Sequence, residues 1–249
     1  MPIDVFLLGD SHIGAYRAGA DALGLTAGGG IVIPHLYIHH NGLKFDAAKG
    51  FTFQEVPDFP NKKPVALFEQ EFRKLLDKAG FASLAEVDVP LITNIGCNPS
   101  VIARHLTGYS FDPTSKKRYM SKGLVKDIVL DNMANQIEIA RWLHAKLPKV
   151  CFVFPPIAAN ASREIWLYCE QVLTDLYKGF GAQTYSPVSW ACTTDRNGGI
   201  LPEYTIIRNG VPDLVHGNRK FGERAMAECA PLLGVEPAPK SGVESAAAS

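Results

Sequence analysis

A serine placed where a strand gives way to a helix can do chemistry that a serine elsewhere cannot. In Gly9-Asp10-Ser11-His12 the chain leaves an apolar run, residues 3–8, and enters a stretch with helical spacing. The hydroxyl of Ser11 then has unpaired backbone N–H groups and the positive end of a helix dipole beside it. That setting favours the oxyanion that forms when serine attacks an ester carbonyl. Ser11 could equally be an ordinary helix cap, so its meaning depends on what else reaches it.

Three other pieces could. Gly96-Cys97-Asn98 follows an apolar run at residues 87–95, and an asparagine there can aim its side-chain N–H at the same oxyanion. A plain turn of Gly, Asn and Pro99 is the alternative. In Asp213-Leu214-Val215-His216 a carboxylate and an imidazole three residues apart can hydrogen-bond across a turn. The carboxylate would fix the imidazole tautomer and support the imidazolium formed when it takes a serine proton. With 13 Asp and 7 His in 249 residues, about 0.4 such D-x-x-H pairs arise by chance. The weight of this one comes from its place after the last expected strand. The fourth piece is a glycine supplying a further backbone N–H donor: Gly42, after the second expected strand, or one of Gly28, Gly29 and Gly30. His12 either touches substrate or faces solvent from the helix start. Asp10 is expected to hold the loop by hydrogen bonds to backbone, and Cys97, with no base of its own, reads as packing.

Other chemistries lack their residues. The Gly9 segment has neither the glycine spacing of a dinucleotide site nor that of a Walker loop, and Gly28-Gly29-Gly30 precedes a strand rather than opening a helix. No G-x-S-x-G elbow and no H-E-x-x-H occur. His35, His39 and His40 read as a polar strand end, since a metal site there wants a third ligand. No cofactor or metal is therefore expected. Twenty-five basic against 25 acidic residues leave a formal charge of zero, with no field to hold a phosphate backbone, so nucleic acid is not an expected partner. The longest apolar runs near the start fall far short of the about 18 residues of a spanning helix, so no membrane association is expected. Five cysteines, odd in number and without C-x-x-C, fit reduced thiols in a cytoplasmic protein better than a disulfide framework.

The elements that must position these groups can be read from periodicity. Similar runs recur at residues 31–38, 87–95, 150–154 and roughly 182–188, the pattern expected of strands buried on both faces. Residues 67–79, 125–147 and 165–180 carry apolar side chains at steps of three or four, and a last helix is expected over 217–233. Ser162, with Glu164 nearby, or Asn160 could cap the helix of 165–180. Strands alternating with helices predict a three-layer α/β/α sandwich around a parallel sheet of about five strands, every carboxyl end on one rim. Residues 1–235 would form a single domain and the Pro-, Ala- and Ser-rich 236–249 a disordered tail. Residues 50–64 and 110–123 break the alternation and read as long loops, with Lys116-Lys117-Arg118 solvated. Phe51, Phe53, Tyr109 and Phe111 either roof the site or pack as loop core.

In this order along residues 3–233, the blocks resemble the SGNH (GDSL-type) hydrolase superfamily. That family carries G-D-S at the first strand, a lone Gly after the second, G-x-N after the third and D-x-x-H near the C-terminus. Three blocks match literally: Gly9-Asp10-Ser11, Gly96-Cys97-Asn98 and Asp213-Leu214-Val215-His216. Gly42 is a loose match, and Asn98 is followed by Pro99 where many members have Asp. His12 after the serine, Pro155-Pro156 and Gly217-Asn218 look most like the branch of carbohydrate O-acyl esterases and acyltransferases. The resemblance implies Ser11 as nucleophile, His216 as general base and Asp213 as its orienting carboxylate; near-normal rates in Asp213→Asn would point to another carboxylate, such as Asp195, instead. It implies the Ser11 N–H, the Gly42 N–H and the Asn98 side chain as oxyanion donors. The implied activity is a serine esterase acting on short O-acyl esters, small or carried on carbohydrate, with a rate that rises as His216 loses its proton. Acyl transfer to a sugar hydroxyl would use the same residues. A non-catalytic binding module of the same fold is the rival from another class, separated from the enzyme by fluorophosphonate labelling of Ser11. A flavodoxin-like nucleotide binder shares the sheet but lacks a phosphate loop.

Overall fold

Val5, Phe6, Leu7 and Leu8 are fully buried, and each such side chain stabilises the fold by about 1.5–3 kcal/mol relative to exposure. The computed structural model of the chain describes residues 2–31, 42–56, 64–194 and 199–236. Along it, β1 (Val5–Gly9) leads through α1 (Ile13–Ala22) to β2 (Ala27–Ile31). A hairpin of β3 (Leu43–Asp46) and β4 (Gly50–Phe53), then α2 (Val65–Ala79), precede β5 (Leu91–Thr93). Next come α3 (Ser100–His105), the short β6 (Tyr109–Ser110) and β7 (Arg118–Tyr119), α4 (Lys122–Asn132) and α5 (Ala134–Lys146). They lead to β8 (Val150–Val153), α6 (Arg163–Gly179) and β9 (Gln183–Tyr185). After α7 (Val188–Ala191), a second hairpin of β10 (Thr205–Arg208) and β11 (Val211–Gly217) runs into α8 (Arg219–Cys229).

The central sheet has five parallel strands in the order β2-β1-β5-β8-β9. β1, β5 and β8 are buried at every position, as a sheet covered by helices on both faces requires. The mixed α/β fold is thus the expected layered sandwich. Strand order reverses between β1 and β5, which opens a crevice at their carboxyl ends, the place where such sheets bind ligands. Both the Ser11 and the Asn98 segments leave the sheet there.

Several expectations need correction. The glycine triplet does not precede the second strand; it is that strand, and residues 32–41, with His35, His39 and His40, lie outside the described residues. β2 lies so close to β1 that a Cβ on Gly29 would sit 2.1 Å from the Leu7 carbonyl oxygen. The apolar face of 125–147 is buried as expected but belongs to two helices, α4 and α5, meeting at Met133. The expected long loops contain β4 and the β6–β7 pair, and Lys122 already begins α4. Phe51 and Phe53 alternate onto one face of β4 and pack on Phe68 and Phe72 of α2, while Phe111 meets Tyr168 edge-on. These rings are loop core, not a roof. Ser162 precedes α6 without a side-chain cap, and Glu164 instead accepts hydrogen bonds from Ser110 and the Phe111 N–H. All five cysteines are free and buried. Among the described residues no helix is long and apolar enough to cross a membrane.

Candidate active site

The loop after β1 is pinned from the neighbouring strand. Asn94, just past β5, accepts the Asp10 N–H through Oδ1 (3.1 Å) and donates through Nδ2 to Asp10 Oδ1 (2.6 Å). Asp10 Oδ1 also accepts the His12 N–H at 2.9 Å. Both carboxylate and amide are buried, so the network replaces the water each would otherwise need. Gly9 permits it: a Cβ there would lie 1.9 Å from Asn94 Oδ1. Ser11 is thereby set at the start of α1.

His216 arrives from the far side of the sequence. The β10–β11 register runs evenly from Arg208–Val211 to Ile206–Asp213, then jumps so that Thr205 faces Gly217. Leu214, Val215 and His216 therefore bulge out of the ladder, and a bulge re-aims side chains. Asp213 organises it from within. Its Oδ1 accepts the N–H groups of Val215 (3.1 Å) and His216 (3.2 Å), and its carbonyl accepts the Thr205 hydroxyl. Asn218 closes the far end by donating to the Glu203 and Thr205 carbonyls and capping α8 through the Phe221 N–H.

Packing of α8 on α1 brings the two halves together. Gly19 and Gly222 meet backbone to backbone, for a Cβ on Gly19 would lie 2.1 Å from the Gly222 carbonyl oxygen. Tyr16 and Phe221 flank this contact edge to face. Ser11 Oγ then stands 2.8 Å from His216 Nε2, and His216 Nδ1 stands 2.8 Å from Asp213 Oδ2. A carboxylate can only accept, so Nδ1 carries the proton, Nε2 is left as acceptor, and the Ser11 hydroxyl donates to it. Burial pushes the Asp213 carboxyl up, but the hydrogen bonds from the His216 ring and from the Val215 and His216 N–H groups outweigh it and hold the group below the ordinary carboxylate range. Arg208 Nε lies 3.1 Å from the same Oδ2, on an exposed side chain where such a pair adds little.

The remaining expected residues fall differently. Asn98 is buried past β5, behind a turn in which Gly96 has φ +82° and its carbonyl accepts the Tyr177 hydroxyl at 2.5 Å. Asn98 Oδ1 accepts the Ser100 N–H (3.0 Å) at the start of α3. The cavity beside Asp10, Asn94 and Asn98, about 40 Å³, has room for a water. Gly42 sits at the base of the β3–β4 hairpin, its carbonyl accepting the Gln54 N–H. Gly28 to Gly30 are paired with Phe6 to Leu8 inside the ladder, short of the rim, which removes them as oxyanion donors. His12 does not face solvent; it is 6% exposed and stacks on His216. Burial holds the Cys97 thiol well above its ordinary range, as packing requires. Asp195 lies outside the described residues. Asn94, Thr205 and Arg208 were not singled out in the sequence; a lone Asn ending a buried apolar run is the one signal for the first. Among the described residues no cluster of His, Cys, Asp and Glu could hold a metal ion.

A solved structure is similar to this chain. It is a "putative acylhydrolase" from Bacteroides fragilis NCTC 9343, with a TM-score of 0.43 and 13% sequence identity over 92% of this chain and 86% of that one. No protein-family model and no curated protein matches the chain.

Proposed function

We propose that the protein is a serine esterase of the SGNH type that cleaves O-acyl esters through an acyl-enzyme. The observation that carries the reading is the continuous hydrogen-bonded line Ser11–His216–Asp213, with both links at 2.8 Å, at the switch point of a parallel sheet. As Ser11 Oγ bonds to the acyl carbon, its proton passes to His216 Nε2 and the carbonyl becomes an oxyanion. The Ser11 N–H at the start of α1 and the Asn98 amide are the donors assigned to that oxyanion. Collapse breaks the bond to the alcohol, which leaves with the proton from Nε2. Water then gives its proton to Nε2 and attacks the acyl-enzyme, and the proton returns to Ser11 Oγ as the acid departs. Asp213 keeps its negative charge throughout and steadies the imidazolium. Short acyl groups, carried on small alcohols or on carbohydrate, are the proposed substrates.

A fluorophosphonate probe tests this. It should label Ser11, fail on Ser11→Ala and react far more slowly with His216→Ala, while wild type hydrolyses p-nitrophenyl acetate. Folded protein that neither takes the probe nor turns over the ester would sink the proposal.

A further inference from the structure

We infer that His12 is a positioning residue for this reaction: its ring is the flat surface against which the His216 imidazolium is held while the serine proton rests on it. The inference rests on the reading of Ser11 and His216 as nucleophile and base.

His216 is held by its Cβ–Cγ bond and by one hydrogen bond at each ring nitrogen. Hydrogen bonds bend at little cost compared with covalent bonds, so the plane of the ring can still rock about its mean position. A partner against the ring face limits that rocking. His12 lies there, with ring centroids 5.3 Å apart and planes 29° from parallel. Its own backbone is fixed, the N–H bonded to Asp10 Oδ1 and the carbonyl accepting the Ala15 N–H. A rigid ring on the sheet side thus faces a ring carried by a bulged hairpin.

The contact also has an electrostatic sense. An uncharged aromatic face attracts a cation within about 6 Å, and more strongly where water is kept away. Charged or titratable groups around His216 include the Asp213 carboxylate on Nδ1, Arg208 beyond it on Oδ2, His12 on the ring face and Asp10 beneath the His12 backbone. A proton on His12 would reverse the sign, since two like charges at this spacing repel. The contact is favourable only while the two rings carry no more than one positive charge between them.

Two variants separate this role from the others. His12→Phe keeps a flat π face and loses the titrating nitrogens; His12→Leu keeps bulk and loses the face. For His12→Leu, kcat should fall about 2- to 30-fold with KM little changed. The NMR titration midpoint of His216 in the resting enzyme should move to lower pH. His12→Phe should resemble wild type in both. No change in His12→Leu overturns the inference, and so does a midpoint that rises in both variants, which would mean a charged, repelling His12. A raised KM in both variants would make His12 a substrate contact and overturn it as well. Should His12→Leu fail to fold, a shifted midpoint in His12→Phe overturns the inference and an unshifted one supports it. Absence of Ser11 labelling in wild type would instead defeat the functional reading, with the midpoint still testing the stack.

Discussion

Ser11 and His216 stand on opposite kinds of structure. Ser11 leaves a strand buried at every position, and the loop behind it is tied by the buried pair of Asp10 and Asn94. His216 stands on a two-stranded hairpin that leaves Ile207, Val211 and Leu214 exposed, and the stretch around it is a three-residue bulge. On the sheet side, groups that serve the site are also groups that hold the fold. On the hairpin side the site is organised by local hydrogen bonds within a few residues. Substitutions on the first side should therefore lower stability and activity together, and on the second chiefly activity.

The sharpest break comes from Asp213→Asn. It should lower kcat by about 10⁴-fold through loss of the correct His216 tautomer, with a thermal midpoint close to wild type. Kinetics paired with calorimetry read both. Because the folded state lowers the Asp213 titration, its stabilising contribution is present above the ordinary carboxylate range and is lost as pH falls from that range through the lower folded value. Asn94→Ala strikes the other side. It leaves Asp10 buried with fewer partners and should lower Tm by about 5–10 °C along with activity. A Tm unchanged by Asn94→Ala would dissolve the contrast.

Glu170, on α6, tests the interior on its own. Burial pushes its carboxyl up to about 7, offset only in part by Ser186, Trp166 and Arg163. A value raised in the folded state means that stability declines as pH climbs from the ordinary carboxylate range through about 7. Glu170→Gln should remove that decline, raising Tm by several degrees at pH 8 and hardly at all at pH 5 in thermal melts. The smallest effect belongs to Asn218→Ala, which strips the α8 cap and the end of the bulge. About 1 kcal/mol, or roughly 2–4 °C in Tm, is expected, together with a few-fold loss of rate as His216 loosens.

Much of this architecture was legible in the sequence because it obeys period. β1, β5 and β8 show as apolar runs, and the helices as faces at steps of three and four. β2 did not, because close approach to β1 demanded glycines that carry no hydrophobic signal. β10 and β11 did not either, being short, half exposed and interrupted by a bulge that destroys alternation. In the site, the meeting of Ser11, Asp213 and His216 could be anticipated from motif types at strand ends. The ties from Asn94 to Asp10 and the ring contact of His12 with His216 join residues 84 and 204 positions apart, and no local spacing announces them.

Glycine against glycine in α1 and α8 leaves main chain touching main chain, with no rotamer in between to absorb slack. Whatever separates those two backbones by a fraction of an ångström is passed on to the gap between hydroxyl and ring. If Ser11 is the nucleophile proposed, the speed with which it reacts is then a gauge of how firmly α8 is seated.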